Sequence, residues 1–214
     1  MANGVKMQGR TGGIILAGGR GSRMHFRDKP LLRLGKRRII DFIVASALAQ
    51  VDELIINVNR HPERFLDLKL PIVMDDYGSE AGPLAGVMAG ITWYTRHRSD
   101  TGFLACFPGD TPWFPETIVQ LMQQRMQEDG SDVAWLSTRG QFQPLFSVWS
   151  LAVAESLADA LTRGVYSPMT FIKSQSNTLV TIDEYEAGHF ENINSPGDLW
   201  DARKYAHQLF KTGF

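Results

Sequence analysis

Near the amino end, glycines and cations gather in one short stretch. Gly18, Gly19 and Gly21 are followed by Arg23 and, ten residues beyond Gly19, by Lys29, with Arg20 inside the cluster. Glycine permits positive φ and lets backbone N–H groups approach an anion closely. Donors and cations that converge where no side chain blocks access suit a polyphosphate. Two familiar phosphate loops are excluded by spacing. No Lys-Ser/Thr pair completes a Gly-x-x-x-x-Gly-Lys-Ser/Thr loop, and GGRGSRM does not match G-x-G-x-x-G. A bare Gly-Gly also serves as a packing turn between a strand and a helix. The added cations set this one apart.

Other chemistry-bearing residues stand where apolar runs end. Asn57 closes Leu54-Ile55-Ile56, and an amide at a strand's carboxyl end can read a base edge or simply form a turn. Asp75 and Asp76 follow Pro71-Ile72-Val73-Met74; in extended chain only one of two adjacent carboxylates faces a ligand. Gly82 and Pro83 open an apolar helical pattern whose first turn exposes unpaired N–H groups. Asp110 lies in Pro108-Gly109-Asp110-Thr111-Pro112, directly after Phe103-Leu104-Ala105-Cys106-Phe107. A lone carboxylate in so rigid a turn suits Mg²⁺, which takes one or two carboxylates and fills its sphere with water and phosphate. An Asx turn is the other reading of Asp110. In Glu191-Asn192-Ile193-Asn194-Ser195-Pro196, Asn192 and Asn194 share a face if the chain is extended, with Ser195 as N-cap and Pro196 as first residue of a closing helix.

The elements that must position these residues follow from periodicity. Ile14 to Leu16, Leu54 to Val58, Pro71 to Met74 and Phe103 to Phe107 read as buried strands, alternating with helical spacing over Ile39 to Gln50 and from Gly82 to Trp93. That alternation predicts an α/β fold of three layers, with helices on both faces of a mostly parallel central sheet. Farther along, Pro115 to Glu128 reads as an amphipathic helix whose methionines fill core, and helical spacing resumes over Leu151 to Leu161. Val133 to Leu136, Leu145 to Trp149 and Leu179 to Ile182 read as shorter, more irregular strands, the first two flanking Gly140 to Pro144. The basic run Lys36-Arg37-Arg38 reads as a solvated turn, with phosphates or a protein partner as its other uses. His61, before Pro62, reads as a capping or surface histidine.

Five stretches in order resemble the molybdenum cofactor guanylyltransferase (MobA) family, within the nucleotidyltransferases of Rossmann-like, GT-A-like fold. They are Leu16-Ala17-Gly18-Gly19-x-Gly21-x-Arg23-Met24 with Asp28-Lys29-x-Leu31-Leu32, Asn57-Val58-Asn59-Arg60-His61, Gly82-Pro83-Leu84-Ala85-Gly86, Pro108 to Pro112, and Glu191 to Pro196. They span roughly residues 12 to 203. The resemblance implies transfer of GMP from GTP to the terminal phosphate of molybdenum-bearing molybdopterin, with loss of pyrophosphate. Leu16, Ala17, Gly18, Gly19 and Gly21 would hold the nucleotide, and Gly82 and Pro83 would border it. Arg23 and Lys29 would neutralise departing phosphate, and Asp110 would hold Mg²⁺. Asn57 and Asp75 would contact the nucleoside, and Asn192 and Asn194 would lie near the reacting phosphates. The chain departs from the family at His25-Phe26-Arg27, where glycine commonly follows the methionine, and at Gln143-Pro144-Leu145, where His-Pro-Thr is common. A cytidylyltransferase for molybdopterin, a transferase for sugar or polyol phosphates, and a non-catalytic nucleotide-binding module share the glycine loop and stay open.

Composition bounds the rest. The 214 residues, 43% hydrophobic and 21% charged, suffice for one domain. Its nucleotide-binding part would run over about 11–112 and its acceptor-binding part over about 113–205, after a polar, disordered segment 1–10. A net charge of −1 gives no general attraction to nucleic acid or anionic membrane. Cys106 stands alone in an apolar run, which excludes an internal disulfide and predicts a small buried hydrophobe. No apolar leader or run of ~18 apolar residues is present, so a cytoplasmic protein is expected, with proteins of cofactor biosynthesis or molybdoenzymes as its partners.

Overall fold

The computed structural model describes residues 9–18, 28–77, 81–185 and 188–211. In chain order the strands are β1 (Arg10–Leu16), β2 (Arg33–Leu34), β3 (Arg37–Arg38), β4 (Glu53–Asn57), β5 (Ile72–Val73), β6 (Thr101–Pro108), β7 (Val133–Thr138), β8 (Gln141–Ser150) and β9 (Asn177–Ile182). The helices are α1 (Ile39–Leu48), α2 (Gly82–His97), α3 (Ile118–Asp129), α4 (Ala154–Thr162), α5 (Pro168–Ser174) and α6 (Pro196–Lys211). Among the described residues, seven strands form one sheet in the order β5-β4-β1-β6-β8-β7-β9, and β2 and β3 form a separate hairpin. Within the large sheet β8 alone runs antiparallel to its neighbours.

Side-chain alternation sorts the core into two layers. Ile15 and Ile56 face α1, α3 and α6, meeting Ile43, Met122 and Leu199; Ile14 and Ile55 face α2, α4 and α5, meeting Val87, Leu157 and Phe171. Three layers result, as the alternating pattern predicts, and Cys106 is buried in the second core. Desolvation pushes its thiol well above the ordinary range, so it packs as a hydrophobe.

The chain passes from β1 to β4 on one side and then returns to place β6 on the other. Such a reversal leaves a crevice outside the strands' carboxyl ends, between β1 and β6, where ligands gather in open α/β sheets. Gly18 and Asp110 follow these two strands directly. Tyr94 of α2 locks β1 from beneath. Its hydroxyl accepts from Gly13 N–H at 3.1 Å and shares its proton between the carbonyls of Glu53 (2.8 Å) and Gly13 (3.0 Å). The ring fills the space beside Gly12, where a Cβ would stand 2.3 Å from it.

Four expectations need correction. Segment 1–10 reaches into the sheet at its end, because Arg10 opens β1 and its N–H donates to Asp100 O at 2.9 Å. The helix expected from Pro115 begins three residues later, at Ile118, and runs to Asp129. The second half does not hold only short strands, because β8 covers ten residues and takes in Gln141 to Pro144, right up to the hairpin turn. Arg139 and Gly140 make that turn with φ of 47° and 77°, a pair of left-handed residues that matches strand twist. Register slips between Trp135 and Leu136, and the surplus on β8 is a bulge that takes in Pro144, which has no N–H for the ladder. The basic run 36–38 is not a free turn, because Arg38 pairs with Asp41 and Asp67 at 2.7 Å each.

Removing the Tyr94 hydroxyl tests the lock. Tyr94→Phe strands buried backbone groups, so about 1–3 kcal/mol of unfolding free energy should be lost, read as a lower midpoint in urea with unchanged slope. Gly12→Ala should be worse, since its methyl has no room.

Candidate functional site

The crevice is stitched together by backbone. Ala17 N–H donates to Asn57 O at 3.0 Å, extending the β1–β4 ladder, and Gly109 N–H donates to Leu16 O at 3.1 Å from the other side. Gly109 approaches so closely that a Cβ would lie 2.8 Å from that carbonyl. The ends of β1, β4 and β6 are thus a single rigid rim, with Leu16, Ala17 and Gly18 half-buried upon it.

Lys29 opens a short 3-10 turn, Lys29–Leu31, whose cap Asp28 pairs with Arg64. Its ammonium donates to Asn194 Oδ1 at 2.7 Å and stands 3.8 Å from Asp110 Oδ2. The segment before α6 crosses the Asp110 turn, with Ile193 N–H donating to Asp110 O at 3.0 Å and Phe190 N–H to Trp113 O at 2.9 Å. Thr111 Oγ1 donates to Asn192 Oδ1. Asn192 and Asn194 therefore both reach the Asp110 turn, one through Thr111 and the other through Lys29. A capping box fixes that segment to α6. Ser195 Oγ accepts from Asp198 N–H at 3.1 Å, while Asp198 Oδ2 accepts from Ser195 N–H at 2.8 Å and Asn194 N–H at 2.7 Å.

The sequence candidates fall into three groups. Lys29, Asp110, Asn192 and Asn194 converge. Asn57 is buried instead: its Nδ2 donates to Val73 O at 3.3 Å, and its Oδ1 lies against Gly18 and Gly86. It braces the rim from behind and offers no open amide edge. Asn59, two residues on, was not singled out and makes the more telling contact. It donates to Asp75 Oδ2 at 2.5 Å and accepts from Asp75 N–H at 3.1 Å, so it orients the half-buried Asp75 carboxylate. The repeated Asn in Asn57-Val58-Asn59 is the only local signal for it. Gly82 and Pro83 are exposed in the first turn of α2, Gly82 with φ of +59°, and Gly86 of that helix contacts Asn57 and Leu16. Gly19, Gly21, Arg23 and the His25-Phe26-Arg27 insertion lie outside the described residues.

Electrostatics distinguish the two acids of the site. Burial pushes the Asp110 carboxyl above its ordinary value, and the Lys29 ammonium pulls it only partly back. Asp198 shows the opposite balance. Some desolvation works against its charge, but the Asn194 N–H, the Ser195 donors and Lys29 hold it below its ordinary value. Asp110 is thus a negative charge that the fold leaves under-neutralised. Among the described residues no three acidic, histidine or cysteine side chains gather to hold a metal alone. A divalent ion at Asp110 would take its other ligands from water and phosphate, the habit of Mg²⁺.

Comparisons with known proteins give the family and the fold. Residues 13–178 match the family model described as MobA-like NTP transferase domain. A molybdenum cofactor guanylyltransferase from Cereibacter sphaeroides is 35% identical over 190 residues, covering 89% of this chain and 94% of that protein. One from Rhodopseudomonas palustris is 29% identical over 197 residues, covering 92% and 94%. Among solved structures, molybdopterin-guanine dinucleotide biosynthesis protein A from Archaeoglobus fulgidus shares the fold, with a TM-score of 0.74 at 18% identity over 92% of this chain and 99% of that one.

The two acids should respond oppositely to neutral replacement. A raised folded pKa gives stability that is present below the unfolded value and lost as pH rises through the folded one, so charged Asp110 is a cost at pH 7. A depressed pKa gives stability that is present above the unfolded value and lost as pH falls through the folded one. Asp110→Asn should leave the thermal midpoint at pH 7 equal or higher, and Asp198→Asn should lower it. Both differences should shrink, by differential scanning fluorimetry, as the pH is lowered and the carboxyls take up protons.

Proposed function

The chain belongs to the MobA-like NTP transferase family, and we propose that it transfers GMP from GTP to the terminal phosphate of molybdenum-bearing molybdopterin. In that reaction an acceptor phosphate oxygen forms a bond to the α-phosphorus of GTP. The bond from that phosphorus to the bridging oxygen breaks, and pyrophosphate leaves with the electron pair. The convergence of Lys29, Asp110 and Asn194 at the β1–β6 crevice carries the reading. Phosphoryl transfer asks the protein for placement and charge neutralisation more than for covalent chemistry.

Each group has a task in this scheme. Leu16, Ala17 and Gly18, with Gly19 and Gly21, present backbone to the nucleotide phosphates. Lys29 exchanges its Asn194 hydrogen bond for a phosphate oxygen as charge builds, and Arg23 assists it. Asp75, held by Asn59, faces the nucleoside, and the first turn of α2 at Gly82 and Pro83 borders it, while Asn57 supports the rim. Asp110 would hold Mg²⁺, which when bound neutralises phosphate oxygens as pyrophosphate departs. Asn192 and Asn194 sit on the acceptor side. Residues about 11–112 supply the nucleotide side and about 113–205 the acceptor side. The guanine preference and the molybdopterin acceptor are carried by the names of the relatives.

Two measurements test this reading. Thermal unfolding with GTP, CTP, ATP or UTP, each with and without Mg²⁺, should show a shift led by GTP and enlarged by Mg²⁺; a ligand at about 100 times its Kd adds roughly 2.7 kcal/mol. A shift led by CTP would replace guanylyl with cytidylyl transfer. Pyrophosphate release with molybdopterin should fall about 10²–10³-fold in Asp110→Asn and in Lys29→Met. Nucleotide binding without release in the parent protein would mean a binding module instead.

A further inference from the structure

A second charged feature lies away from the crevice, where α6 meets the β2–β3 hairpin. Trp200, Arg203, Lys204 and His207 recur at helical spacing on one exposed face of α6, opposite the buried Leu199, Ala202 and Ala206. Two shallow depressions of about 460 and 410 Å³ meet there, sharing Arg203 and His207, and Arg33 and Gly35 of the hairpin form the far wall. Arg203 Nε donates to Arg33 O at 3.1 Å and Arg33 Nη1 to Lys36 O at 3.0 Å, so both guanidinium groups are anchored by main-chain carbonyls, with Asp41 of α1 near enough to feel the Arg33 charge. Asp201, 3.4 Å from Lys204, is the acid on this face of the helix. Trp200 is 61% exposed, and the Lys204 ammonium stands 5.4 Å from its ring centroid.

A helix that buries one face has no packing reason to expose tryptophan on the other, and a chain of net charge −1 has no general reason to gather cations there. Tryptophan and arginine together are the residues that most often anchor protein interfaces. We propose that this groove docks an acidic segment of another protein, one that carries an apolar side chain among its carboxylates. The apolar residue covers Trp200, and the carboxylates meet Arg33, Arg203 and Lys204. Nucleic acid fits less well: its binding rests on many phosphates in an extended positive field, which this chain lacks, whereas a short acidic peptide needs only the local one. The groove's position gives docking a consequence. Its hairpin wall begins four residues after Lys29 and its helical wall directly follows Asn194, so both walls are continuous with the Lys29–Asn194 hydrogen bond.

A direct test uses the full-length protein and a fluorescein-labelled twelve-residue peptide of glutamates around one central phenylalanine, read by anisotropy at low and physiological salt. Binding should weaken about tenfold in Trp200→Ala, which leaves net charge unchanged, and at least as much in Arg203→Glu and Arg33→Glu. Far-UV circular dichroism and thermal midpoints of these surface variants should match the parent. An all-glutamate peptide should bind more weakly than the phenylalanine peptide. The proposal fails if the peptide does not bind, or if binding ignores Trp200. It also fails if a twelve-nucleotide oligo-dT of equal label binds more tightly, which would make the groove a nucleic-acid surface. None of these outcomes depends on which nucleotide the crevice takes.

Discussion

The Lys29 ammonium joins three parts of the chain that nothing local would bring together. It sits 2.7 Å from Asn194 and 3.8 Å from Asp110, partners 165 and 81 positions away in sequence. A carboxylate desolvated at the end of β6 is tolerable because that cation stands beside it and offsets part of the cost of its burial. The arrangement is still not electrically complete, since burial outweighs the lysine at Asp110. A site left in that condition favours any ligand that brings further positive charge with it.

Everything else in the fold serves that placement. The switch in strand order sets β1 beside β6, Tyr94 seats β1 from below, and Asn57 wedges between Gly18 and Gly86 so that the three loop ends close on one another. The capping box at Ser195 and Asp198 gives the third wall its register. Two separate physical devices, a parallel sheet and a helix cap, therefore meet at one ammonium group.

Much of this was legible in the sequence, and the failures share a cause. Buried parallel strands announce themselves as continuous apolar runs, so β1, β4 and β6 and the polar residues that end them could be read directly. Asp110 and the Asn192/Asn194 pair were legible because proline and glycine fix their backbones. Ser195 and Pro196 marked the start of α6 by local chemistry alone. Asn57 reads from sequence as a base-reading amide or a turn former, and position along a strand does not show that its amide is buried against Gly18 and Gly86, which are distant in sequence. Asn59 and Asp75 hold one another across two loops, a pairing with no local signature. The β8 extension was hidden by Pro144, which reads as a breaker but sits in a bulge that needs no N–H. Helix α5 is seven residues long, too short for periodicity to register.

The helix cap has a consequence in time. Synthesis proceeds from the amino end and domains organise as they emerge, so the glycine loop, Lys29 and Asp110 all exist before the segment 190–198 has been made. Until that segment crosses the Asp110 turn and Ser195 seeds α6, the lysine lacks its amide partner and that side of the Asp110 turn stays uncovered. The brace on Lys29 is thus made after both of the groups it joins.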